Sequence, residues 1–73
     1  MGIQDNADKV LKALFDKYLR TGINDFCNID TISDLPSSEN ASAARHLKSL
    51  GYVKDNILGE FKLSDAGIKH LSN

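Results

Sequence analysis

Residues 37–71 read SSENASAARHLKSLGYVKDNILGEFKLSDAGIKHL, and their apolar residues change period twice along the way. The first part predicts a helix over 38–50. A rotation of about 100° per residue puts Ala43, Ala44, Leu47 and Leu50 on one side, the expected core face. Ser37 or Ser38 supplies a cap, because a short hydroxyl accepts an orphan backbone N–H. Glu39 suits the positive end of the helix, and Gly51 ends it. Residues 52–63 then predict a β-hairpin. Tyr52 and Val53 open it, Phe61 and Leu63 alternate with Glu60 and Lys62, and Asn56 and Gly59 provide the turn. Ser64 caps a last helix over Asp65 to Leu71, with Ile68 and Leu71 facing inward. Gly67 weakens that helix by up to about 1 kcal/mol relative to Ala, which suits a place of close packing.

Working outward, residues 6–20 predict a first helix. Ala7, Val10, Leu11, Leu14 and Tyr18 follow the spacing of one helical face, and Phe15 and Leu19 widen it. Asp5 or Asn6 is placed to cap its start and Gly22 to end it. Asp5–Lys9, Asp8–Lys12 and Asp16–Arg20 stand acid before base at i, i+4, the pattern of a solvated face rather than of a catalytic cluster. Residues 23–36 are less regular. Phe26 to Ile29 reads as a short strand, and Asp30 as the cap of a short second helix that stops at Leu35, before Pro36. The spacing of Asp25, Asp30 and Asp34 does not fit a calcium loop, so they read as caps and turn residues.

Length and composition narrow the class. Seventy-three residues allow one small domain, which buries only about 60% of its unfolded surface. Apolar residues at 41% and charged residues at 26% give a globular rather than a disordered balance. No apolar run approaches the roughly 20 residues of a membrane span, and the start lacks a signal-peptide pattern, so a cytoplasmic location is expected. The lone Cys27 cannot form an internal disulfide and reads as a small core residue. Net charge is −1 but uneven. Residues 1–44 hold four bases and seven acids, a balance of −3, whereas residues 45–73 hold five bases and three acids, a balance of +2.

Two segments carry a family resemblance. ASAARHLKSLGYV at 41–53 resembles the end of a winged-helix recognition helix and its exit into the wing. FKLSDAGIKHL at 61–71 resembles the second wing strand and the "Leu-Thr-x-x-Gly-x-x-x-Leu" close of several bacterial winged-helix families, with Ser64, Gly67 and Leu71 at the matching places. With the first helix, the resemblance covers nearly the whole chain. It implies an α+β, mainly α fold: a winged helix with a three-helix core, a β-hairpin wing and a short C-terminal helix. Two departures stand out. The second helix is shorter than usual, and the wing carries only Lys54 and Lys62 as bases.

The resemblance also implies a small regulator of bacterial or phage type that binds duplex DNA, with the third helix in the major groove. Arg45 would contact a base or phosphate through its planar fork. Ser38 and Ser42 would hold phosphate near the helix start, and Ala41 would meet a thymine methyl. Lys48, Lys54 and Lys62 would neutralise phosphates, and Ser49 and His46 complete the face. A homodimer through the first helix fits the same reading. The competing reading is a protein-interaction module of winged-helix shape with no DNA role, favoured by the net negative charge and the short wing. His46, His70 and Cys27 match no zinc spacing, no cofactor is indicated, and no nucleophile–base or phosphate-loop pattern points to an enzyme.

Overall fold

In the computed structural model, which describes residues 3–72 and side chains from residue 5 to residue 72, Ile3–Thr21 forms helix α1. Ala7, Val10, Leu11 and Leu14 are buried along one face, as their spacing predicts. The helix begins before residue 6, so Asp5 and Asn6 lie inside its first turn rather than capping it. Asp5 still favours the helix's positive end, now from within the turn. Gly22 follows at a φ of 74°, and its N–H donates to the Tyr18 carbonyl at 2.8 Å.

The segment after α1 departs furthest from expectation. The strand predicted at Phe26 to Ile29 is reduced to Cys27, which exchanges both backbone hydrogen bonds with Phe61 at 2.9 Å. The second helix predicted from Asp30 to Leu35 is a single 3-10 turn, Ile29–Thr31, capped by Asn28 rather than Asp30. Asn28 Oδ1 accepts from the Asp30 N–H at 3.0 Å. The Asp30 carboxylate is engaged elsewhere, by Ser37 and Asn40.

Helix α2 spans Ser37–Ser49. Pro36 occupies the capping position, and no side chain caps the helix there. Ser37 lies in the first turn and turns its hydroxyl to Asp30 instead. Ala43, Ala44 and Leu47 are buried as predicted, but Leu50 is 48% exposed. It stands just past the helix, where the chain has already begun to turn away. Asn40, three and four residues before the two alanines, is buried on the same stripe. The exit is a tight glycine motif. The Gly51 N–H donates to Lys48 and the Tyr52 N–H to Leu47, both at 3.0 Å, around a Gly51 φ of 82°.

Strands β1 (Val53–Asp55) and β2 (Phe61–Leu63) form an antiparallel hairpin with Val53 opposite Leu63 and Lys54 opposite Lys62. Helix α3, Asp65–Ser72, closes the described chain. Ser64 caps it, accepting from the Gly67 N–H at 3.0 Å, while its hydroxyl donates to the Gly51 carbonyl. A Cβ on Gly67 would collide with the Tyr52 carbonyl, so this glycine does permit close packing. The core joins α1, α2, Ile29 and the inward residues Val53 and Leu63, with Phe61, Ile68 and Leu71 packed around it. The architecture is α+β and mainly helical, with a two-stranded hairpin. This order is compatible with a small winged-helix-like shape. Among the described residues, no helix is long and apolar enough to cross a membrane.

Candidate nucleic-acid interface

The buried stripe of α2 fixes what the rest of the helix presents. Directly opposite it stand Ser38, Arg45 and Ser49, all exposed, with Ser42 half-buried beside them. These four predicted residues are brought together on one outer strip. Arg45 is its only charge and has no ion-pair partner among the described residues.

The flanks differ. Toward the hairpin lie Ala41 and Lys48. Lys48 Nζ pairs with Asp55 Oδ2 at 3.0 Å, an open pair that contributes little stability but occupies the charge. Toward α1 lie Glu39 and His46. Glu39 accepts from Asn6 Nδ2 at 3.4 Å. His46 is not the open surface residue expected: it is half-buried, and its Nε2 is shielded from solvent with no hydrogen-bond partner.

Lys54 and Lys62 do not join the outer strip of α2. They face each other across the hairpin, and side chains alternate along a strand. Since Val53 and Leu63 point into the core, the two lysines point away from it. The Lys62 ammonium lies 4.8 Å from the centroid of the Phe26 ring, a cation–π contact that partly commits it. Lys54 remains exposed.

Carboxylates near the start of α2 were missing from the predicted face. Ser37 Oγ donates to Asp30 Oδ2 at 2.7 Å, and Asn40 Nδ2 to Asp30 Oδ1 at 2.8 Å. The hydrogen bond from Asn40, then that from Ser37, holds the Asp30 carboxyl below its ordinary pKa. Asp30 is therefore anionic at neutral pH and stands at the start of α2 beside Ser37 and Asn40 rather than beside Ser38 and Ser42, with Glu39 exposed nearby. Like charges repel, so the phosphate grip at the helix start is weaker than the serines alone imply. Asn40 could have been placed from its spacing to Ala43, Ala44 and Leu47. The meeting of Asp30 with Ser37 and Asn40 depends on the path of 31–36, which no local pattern encodes.

A cleft of about 200 Å³ lies beside this carboxylate. Ser37 and Ala41 form one wall, Gly59 and Phe61 another, and residues 28–30 the third. Next to Gly59 is the hairpin tip, where Ile57 and Leu58 are 102% and 76% exposed. The tip is ordered from within. Asn56 Oδ1 accepts from the N–H groups of Leu58 and Glu60 at 3.0 Å, and Asn56 Nδ2 donates to Glu60 Oε1 at 3.0 Å.

Cys27 is half-buried against the core. Burial pushes its thiol pKa up, against the lowering effect of Lys17, and so keeps it protonated. His70 stacks on Tyr52 with ring centroids 4.5 Å apart. No group of three His, Cys, Asp or Glu side chains among the described residues is placed to hold a metal ion. No protein-family model matches this chain, and neither does any curated protein or solved structure.

Proposed function

We propose that this chain is a winged-helix module that binds duplex DNA through the outer strip of α2, as a small cytoplasmic regulator of transcription. The observation that carries the reading is Arg45: an exposed guanidinium, free of ion pairs, centred on a strip of small hydroxyl residues with no carboxylate of its own. Small neighbours let a helix approach base edges, and the Arg fork matches guanine O6 and N7. Ser38, Ser42 and Ser49 reach bases or backbone, Ala41 meets a thymine methyl, and Lys54 neutralises phosphate.

The same arrangement makes the grip modest. Lys48 is paired, Lys62 lies over a ring and Asp30 faces the helix start. With at most four cations near the duplex, the slope of log K against log salt is no steeper than about −4. Two copies joined through α1, where Leu19 is 64% exposed, would double the footprint. The test is titration of isotopically labelled protein with a mixed-sequence duplex at low salt. Amide shifts confined to 38–49 and 54–62, reversed by salt and abolished in Arg45→Ala, are expected. Unchanged binding by Arg45→Ala, or no shifts at high DNA excess, sinks the reading.

A further inference from the structure

We propose that the cleft between the start of α2 and the hairpin receives a lysine or arginine side chain of a protein partner, whose neighbouring apolar residue is covered by Ile57 and Leu58. This goes beyond the DNA reading. It uses the hairpin flank of α2 and the hairpin tip, not the outer strip.

The size of the cleft comes first. About 200 Å³ is below the roughly 300–1,000 Å³ of small-molecule sites and suits one long side chain. Its walls come next. Ala41 and Phe61 offer apolar surface to an aliphatic stem, with the buried Ile29 behind them and Asp30 at the side. Lysine and arginine are the side chains that combine an apolar stem with a cationic head.

The carboxylate is also fixed and not saturated. Among the described residues, each Asp30 oxygen accepts one side-chain hydrogen bond, from Ser37 or from Asn40, whereas an ionised carboxylate has about four acceptor sites. Its backbone is held as well, by the Asn28 cap. A cation arriving there finds its partner already oriented, so little ordering cost remains.

The tip supplies the second half of the surface. Ile57 and Leu58 stand on a turn that Asn56 orders, so their exposure is a property of a defined loop. Neither has a use against phosphate, and Asp30 repels phosphate. An anionic pocket beside an apolar knob is complementary to a cationic side chain beside an apolar one, which makes a protein segment the occupant rather than nucleic acid.

The test uses the capped tripeptide N-acetyl-Leu-Arg-Leu-amide and its citrulline analogue, which keeps the shape and removes the charge. Each is titrated into the labelled protein and followed by amide NMR. Saturable shifts at 28–30, 37–41 and 57–61 are expected with arginine. Citrulline should bind about tenfold more weakly, the loss of one charge-assisted hydrogen bond. Asp30→Asn should show a similar loss, and a joint Ile57→Ser and Leu58→Ser change should weaken both peptides. Equal binding of the arginine and citrulline peptides, or no saturable shift with either, overturns the proposal without needing a variant. Shifts at 28–30 produced by duplex DNA would assign the cleft to nucleic acid and also overturn it. Because the peptides contain no phosphate, this outcome is independent of the DNA titration.

Discussion

Asn40 is the residue on which the irregular segment depends. Its amide donates to Asp30 and to the Leu35 carbonyl, and its oxygen accepts from Ser33. It is 2% exposed, and its removal leaves the half-buried Ser33 hydroxyl and Leu35 carbonyl short of a partner. Asn40→Ala should therefore cost about 2–3 kcal/mol, since a buried group left unpaired costs more than a hydrogen bond contributes. Urea unfolding followed by circular dichroism measures this directly. Asp30 acts through pH. Its pKa is lower folded than unfolded, so its contribution is present above the ordinary carboxylate range near 4. It is lost as pH falls through the depressed folded value. Asp30→Asn should flatten the stability profile in that acid window and leave its shape at neutral pH unchanged, which unfolding midpoints measured across pH 2–6 (approximate range) would show.

At the scale of elements, Ser64 ties three of them together. It caps α3 through Gly67, reaches back to the Gly51 carbonyl at the exit of α2, and its N–H donates to Tyr52 beside β1. Ser64→Ala should cost about 1–2 kcal/mol, the value of a lost cap in a buried setting. Hydrogen exchange should speed up in α3 and in the hairpin together, and loss of protection in α3 alone would contradict the shared junction. Much of this level was legible in the sequence. The spacing of Ala7, Val10, Leu11 and Leu14, the glycine exit at Gly51, the turn at Asn56 and the cap at Ser64 are local signals with local causes. So is the outer strip of α2, because helical periodicity alone decides that Ser38, Ser42, Arg45 and Ser49 share a side. The orientation of Lys54 and Lys62 was also within reach, given Val53 as an inward residue. What local spacing did not contain was tertiary: a 3-10 turn in place of a second helix, and a carboxylate delivered to the start of α2 by a loop.

At the scale of the whole molecule, little stability is held in reserve. For so short a chain, 1 kcal/mol moves the melting temperature by roughly 4–8 °C, so the Asn40 and Ser64 variants should separate clearly in a thermal scan. Leu19 and Ile23 leave apolar surface at the end of α1, 64% and 62% exposed. If two copies meet there, sedimentation should show a concentration-dependent dimer that Leu19→Glu abolishes without lowering the melting temperature of the monomer. A monomer at every concentration would remove the first helix as a meeting place.

Asn24 adds something to the molecule's behaviour in a crowded solution. Its side-chain amide donates to the Leu63 carbonyl at 2.9 Å and accepts from the Leu63 N–H at 3.2 Å, in the manner of a neighbouring strand. Cys27 occupies both backbone groups of Phe61, and strand alternation leaves those of Lys62 for β1. The outer edge of β2 is thus spoken for along its length. A bare strand edge is a template on which other chains add and fibrils grow. Here a single asparagine completes the seal on that side, so no further chain can add along β2.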